Sequence, residues 1–230
     1  MAYRGKKYRQ ARTAVSSFDA VSPESALEAV ISTAHVRFDE TVGLDVVLGV
    51  DPTRGEQVVR GTVLLPHGTG KKIRIAVFAK GEQEEAAKSA GADFVGAEDL
   101  VEKIAGGWMD FDVAVATPDL MGMVGKVARV LGPRGLLPNK KIGTVTLDVV
   151  PVITDLKKGR VSFRNDKGGG LHVAFGKVSF GVEKLTDNLV ALLEAVRLSK
   201  PASSKGKFIK KAVISSTMGV GVAVAADDVS

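Results

Sequence analysis

The sequence predicts a mixed protein, α+β at its two ends and α/β in its middle, in which one domain interrupts another. Three observations predict it. Strand-like alternation of apolar residues recurs near both ends. Short apolar strands trade places with helical stretches between them. The 230 residues are 45% hydrophobic and 25% charged, enough apolar surface to bury a core.

The first flank opens on a basic arm. Ser22-Pro23-Glu24 then reads as an N-cap, a proline at the first helical position and an early acid. Leu27, Val30, Ile31 and Ala34 follow at helical spacing. Val42, Leu44, Val46 and Leu48 alternate, which predicts a strand with one buried face. Residues 51–55 form a turn, 57–65 a second strand, and 66–70 break the pattern.

The middle changes character. Strands are predicted around 73–78, 93–95, 111–117 and 143–147, and helices over 82–90, 97–105, 118–130 and 148–158. The run FDVAVAT (111–117) is nearly all apolar, as in a strand covered on both faces. The alternation predicts a small, mainly parallel α/β unit.

The last flank returns to the first rhythm. Strands are predicted over 160–165, 171–180 and 207–217, with Val220, Val222 and Val224 alternating in another. Residues 166–170 read as a hairpin turn. A helix over 182–199 carries Leu185, Leu189, Leu192, Leu193 and Val196 on one face and stops at Pro201. Together the flanks hold two helices and about six strands, one α+β domain. The expected division is residues 1–67 plus 160–230 as domain I, with 68–159 inserted as domain II.

Composition excludes several classes. No cysteine means no disulfide, thiolate nucleophile or cysteine zinc site. His35, His67 and His172 lie far apart without carboxylates at ligand spacing, so neither a metal nor a cofactor is expected. No apolar run is long enough to span a membrane, and MAYRGKKYRQAR lacks the apolar segment of a secretory signal. A soluble, basic, cytoplasmic protein is expected.

The net charge of +6 is uneven. Residues 1–67 are neutral overall, 68–159 carry +1, and 160–230 carry +5; residues 1–12 hold five cations and no acid. Positive ends suit a polyanion. Gly70-Lys71 lacks the rest of a phosphate loop, since position 65 is leucine and 72 is lysine, and no G-x-G-x-x-G occurs. No G-x-S-x-G elbow surrounds Ser215 and Ser216. No catalytic residue is assigned, and an enzyme is not expected. Gly132-Pro133-Arg134-Gly135 resembles the clamp loop of KH domains, although Leu136-Leu137-Pro138 follows where a helix should begin. The helix over 182–199 is too apolar and acidic to read a DNA groove.

What remains are RNA-type contacts. Arg37, Phe38, Glu40 and Thr41 put a cation, a ring and polar groups at a strand entrance. Arg160, Arg164, Asp166, Lys167 and His172 cluster about one hairpin. Ser216, Thr217, Met218 and Gly219 end a strand preceded by lysines. Such groups bond phosphate and ribose and stack on bases, and the arm residues Arg4, Lys6, Lys7 and Arg9 add charge. Each cluster could instead be a solvated face.

The motifs RFDETV (37–42), VRGTVLLPHGTGK (59–71), VLGPRGLLPN (130–139), FRNDKGG (163–169) and STMG (216–219), in this order, resemble the bacterial ribosomal protein L-one family. The resemblance implies a split β-α-β (ferredoxin-like) domain I interrupted by a Rossmann-like, three-layer α/β domain II. It implies a monomer within the cytoplasmic ribosome that binds large-subunit rRNA at the mobile stalk beside the tRNA exit site. It implies a part in moving and releasing deacylated exit-site tRNA, and repression of its own operon mRNA through a similar RNA structure. The main contacts would be the Arg37–Thr41 region, the Arg164–His172 hairpin and Thr217-Met218-Gly219. Lys140 departs from the proline common at that place in the family.

Overall fold

The computed structural model describes residues 5–15 and 20–225. In chain order the elements are α1 (Lys6–Ala14), α2 (Pro23–Thr33), β1 (Thr41–Leu48), β2 (Arg60–Leu64), β3 (Ile75–Phe78), α3 (Glu82–Ser89), β4 (Phe94–Gly96), α4 (Glu98–Ala105), β5 (Val113–Ala116), α5 (Met121–Val124), α6 (Ala128–Leu131), α7 (Val150–Lys158), β6 (Arg160–Arg164), β7 (Gly170–Lys177), α8 (Gly181–Leu198), β8 (Ile209–Ser216) and β9 (Val222–Val224). The protein is a mixed α/β structure with several sheets. The chain divides into two compact units, Met1–Gly70 with Gly159–Ser230, and Lys71–Lys158.

In the first unit β7, β1, β8 and β9 form an antiparallel sheet in that order, beside a two-stranded β2–β6 ribbon. Alternation along β1 buries Val42, Leu44, Val46 and Leu48. Against that face α8 lays Leu185, Leu189, Leu192, Leu193 and Val196, and α2 lays Ala26, Leu27 and Val30. Each fully buried leucine contributes about 1.5–3 kcal/mol of transfer free energy. Ser22 caps α2 by accepting from the Ser25 N–H at 3.4 Å. The fully buried Asn188 satisfies its amide three ways: Oδ1 accepts from His67 N–H (3.0 Å), and Nδ2 donates to the carbonyls of Gly68 (3.0 Å) and Phe175 (2.8 Å). It thereby ties the 66–70 loop to both helix and sheet.

In the second unit three parallel strands run in the order β4-β3-β5. Ala76 and Phe78 point to one face, with Leu100, Ile104, Val124 and Leu131. Ile75 and Val77 point to the other, with Ala87, Ile153 and Leu156. The sheet is covered on both sides, which is why Val113–Ala116 within FDVAVAT is wholly apolar.

Some expected elements differ. The helix expected over 118–130 is broken into a 3-10 turn at Pro118–Leu120, α5, a second 3-10 turn at Gly125–Val127, and α6. Gly122 and Gly125 lie inside it, and each glycine costs a helix about 1 kcal/mol relative to alanine. The strand expected over 143–147 reduces to a single parallel bridge between Val145 and Ala116. Leu147, next on the face of Val145, is exposed, so burial does not continue along the segment beyond the bridge. The strand expected from 57 starts at Arg60, because Gly55–Gln57 is a 3-10 turn and the Gln57 side chain accepts from Asp51 N–H at 2.7 Å. The strand expected to 180 ends at Lys177, where Val178–Phe180 turns toward Gly181 at φ +79. Lys6, Lys7 and Arg9 of the basic arm lie on α1, while Arg4 falls outside the described residues.

Candidate nucleic-acid interface

One end of the four-stranded sheet gathers two of the expected clusters. Antiparallel pairing sets the start of β1 beside the ends of its two neighbours: Thr41 opposes Lys177, and Val42 opposes Ser216. Thr217 then closes the ladder with its side chain. Its Oγ1 accepts from Thr41 N–H at 3.1 Å and donates to the Thr41 carbonyl at 3.3 Å. Glu40 is buried, at 1% exposure, and its Oε2 accepts from Met218 N–H at 2.9 Å. Its other oxygen, Oε1, is buried and has no hydrogen-bond partner. Lys177 Nζ donates to Thr41 Oγ1 (3.0 Å) and to the Asp39 carbonyl (3.2 Å), and the Asp39 carboxylate accepts from Ser179 N–H (3.1 Å) and Oγ–H (2.8 Å).

This hydrogen-bonded framework, with Glu40 buried at its centre, lies beside exposed apolar groups. Phe38 is 56% and Met218 53% exposed, and Arg37, next to Phe38 in the chain, is exposed too. A cation, a ring and a thioether around a braced strand end can stack on bases and bond a backbone.

The geometry changes two expected roles. The Thr217 hydroxyl is occupied by Thr41, so it shapes the strand end rather than offering a free donor. A Cβ on Gly219 would lie 2.3 Å from Ser216 Oγ, so this glycine answers to the turn, whose Gly219 N–H donates to the Ser216 carbonyl at 3.2 Å.

The hairpin cluster lies elsewhere on the sheet. His172 opposes Asp45, four residues along β1 from Thr41, or about 13 Å. His172 Nδ1 is 2.6 Å from Asp45 Oδ1, and Nε2 is 3.8 Å from Asp166 Oδ2. The hydrogen bond to Asp45 raises the imidazole pKa against the opposing effect of desolvation, and the charges of Asp45 and Asp166 add to the rise. Asp166 is an organiser of the turn. Its Oδ1 accepts from Gly170 N–H (2.7 Å) and Gly168 N–H (2.8 Å), and the Gly170 bond is the main reason its pKa is lowered. Arg164 and Lys167 are exposed there, while Arg160 donates to Thr62 Oγ1 at 3.3 Å.

Between the two clusters the outer face of the sheet is made of small residues: Gly43 on β1, facing Ala174 of β7 and Ser215 of β8. A Cβ on Gly43 would meet only the Val173 carbonyl, at 3.7 Å, so packing does not demand glycine there. Sequence reasoning passed over these three; the outward half of the β1 alternation was the signal that could have found them.

Other candidates separate cleanly. Gly132, Pro133, Arg134 and Gly135 belong to the second unit, on an exposed turn closed by Gly135 N–H to the Gly132 carbonyl at 3.0 Å. No helix follows them directly, unlike a KH loop. His67 pairs with Asp187 at 2.8 Å, and His35 Nδ1 lies 3.3 Å from the Thr33 carbonyl. Among the described residues no cluster of three histidine or carboxylate side chains could hold a metal, and no helix is long and apolar enough to cross a membrane.

Comparison with known proteins then fixes the class. Residues 30–220 match the ribosomal protein L1p/L10e family. A large ribosomal subunit protein uL1 of Desulfotalea psychrophila is 53% identical over 224 residues, covering 97% of this chain and 95% of the relative. Another protein of that name, from Cutibacterium acnes, is 53% identical over 221 residues, covering 96% and 95%. The chain belongs to the ribosomal protein L1p/L10e family. It is accordingly a structural ribosomal protein rather than an enzyme.

Proposed function

We propose that this protein binds large-subunit rRNA directly, at the mobile stalk beside the tRNA exit site, through the open face and rim of its four-stranded sheet. The observation that carries the reading is the rim: exposed Phe38 and Met218 flank a buried Glu40 that holds the Met218 backbone with one oxygen and has the other unpartnered. The small outer face and the exposed Arg164 and Lys167 extend the same surface toward His172. The two compact units correspond in this reading to a split β-α-β RNA-binding domain and an inserted Rossmann-like domain. The chain acts as one copy within the ribosome, takes part in moving and releasing deacylated tRNA, and represses its own operon mRNA by binding a similar RNA structure.

The test compares a stalk rRNA fragment with duplex DNA of equal length across salt concentrations. Preference for the rRNA, with affinity falling two to three decades between about 50 and 200 mM salt for roughly five neutralised phosphates, is the expected result. Equal binding of both, or no salt dependence, overturns the reading.

A further inference from the structure

All the sulfur of this chain is thioether. The sequence holds five methionines and no cysteine, so no thiol competes for an oxidant. Met121 and Met123 are half-buried against the core that Phe78, Leu100 and Leu131 share, and Met109 is half-buried as well. Met1 falls outside the described residues. Met218 differs. It is the only exposed methionine among the described residues, at 53%.

The backbone on both sides of it is pinned. Met218 N–H donates to Glu40 Oε2 at 2.9 Å. Before it, Thr217 Oγ1 accepts from Thr41 N–H at 3.1 Å and donates to the Thr41 carbonyl at 3.3 Å. After it, Gly219 N–H donates to the carbonyl of Ser216, a residue only 4% exposed. These bonds fix where the Met218 backbone stands. A change at the sulfur is therefore confined to the exposed side chain and leaves the strand end in place.

An exposed thioether takes one oxygen atom from a peroxide. A sulfur lone pair attacks one peroxide oxygen, the O–O bond breaks and an S–O bond forms. Sulfur gives up two electrons. The departing oxygen takes them and, with the proton shed by the transferred hydroxyl, leaves as water. The flexible apolar side chain becomes a polar, chiral sulfoxide. Covering the rim then means stripping water from a polar group, which costs free energy unless a new donor meets it.

We propose that Met218 is the oxidation site of this protein, and that its sulfoxide weakens the binding of what covers the rim. The occupant is stalk rRNA on the function proposed above, and the second half of the proposal rests on that reading.

The test treats the full chain with graded hydrogen peroxide and locates sulfoxide by peptide mass spectrometry. Melting temperature and affinity for the stalk rRNA fragment are measured before and after. Met218 should oxidise at least about fivefold faster than Met109, Met121 or Met123, with the melting temperature nearly unchanged. Affinity should fall about 2–10-fold as Met218 sulfoxide accumulates, the worth of one thioether–ring contact. A Met218→Leu variant has no sulfur there, so the same dose should not lower its affinity further, whatever its starting value. Equal oxidation rates at the four methionines overturn the site. Selective oxidation of Met218 with unchanged affinity overturns its effect on the rim. An untreated chain that does not prefer the stalk fragment to duplex DNA would fail the proposed function, while the peptide map still decides the site.

Discussion

Glu40 makes the sharpest residue-level case. One oxygen latches the Met218 backbone and the other is buried without a partner. Glu40→Gln keeps an acceptor for Met218 N–H but puts an N–H2 group where a partner's donor would enter. It should leave the melting temperature nearly unchanged and weaken stalk rRNA binding. Glu40→Ala removes the latch and should cost about 1–3 kcal/mol in stability, read by denaturant unfolding. Parent-like RNA affinity in a folded Glu40→Gln variant would mean the free oxygen has no RNA role. His172 supplies a pH dependence. Its folded pKa is raised above 6.5, so the pairing with Asp45 stabilises fully below that value and is lost as pH rises through the raised one. The melting-temperature advantage of the parent over His172→Gln should therefore shrink between about pH 6 and pH 8. An advantage that grows with pH would contradict the pairing. Asp166 has the opposite sign: its lowered pKa gives stability that is present above 3.8 and lost in acid. Glu40 and Thr217 stand in motifs the sequence singles out, but their intramolecular partners were not legible there, because a pairing across 176 residues leaves no local trace.

Elements with a strong period were legible, and those held by single polar contacts were not. The leucine face of α8, the alternation of β1 and the cap of α2 all follow from spacing. The break-up of 118–131 followed from two glycines that the apolar pattern outvoted. Asn188 sits within the leucine face and belongs to no pattern, yet it joins α8 to β7 and to the loop after β2. Asn188→Leu keeps the branched shape, though not the volume, and removes the partner of the His67 N–H and of the Gly68 and Phe175 carbonyls. It should cost about 1–3 kcal/mol, chiefly from the buried Phe175 carbonyl left unpaired. Denaturant unfolding followed by circular dichroism measures it. A loss under about 1 kcal/mol would show that the loop finds water instead.

At the scale of the molecule, the insert leaves and rejoins the first unit at one place. Gly159, at φ +108, packs so closely on Gly68 that a Cβ would lie 2.3 Å from its Cα. Residues 1–70 joined to 159–230 by a short glycine linker should therefore fold cooperatively. This protein should keep its preference for stalk rRNA over a scrambled sequence. Cooperative folding without that preference would move the specific site out of the sheet. The two rhythms of the sequence obey different periods, and the chain divides into two compact units. Which cations of Lys71–Lys158 meet a carboxylate was not legible, since partners such as Lys71 and Asp112 are far apart in the chain.

The strand order also sets a sequence of events during synthesis. Lys71–Lys158 is one continuous stretch that can close its core as soon as it emerges. β1 emerges far earlier, but both its neighbours, β7 and β8, are made near the end. Until residue 218 is available, Thr41 lacks the hydroxyl that finishes its ladder and Glu40 lacks the amide it holds. A nascent or truncated chain thus displays a finished insert and no finished sheet rim. On the function proposed above, the rim would be the last part of the stalk-binding surface to be completed.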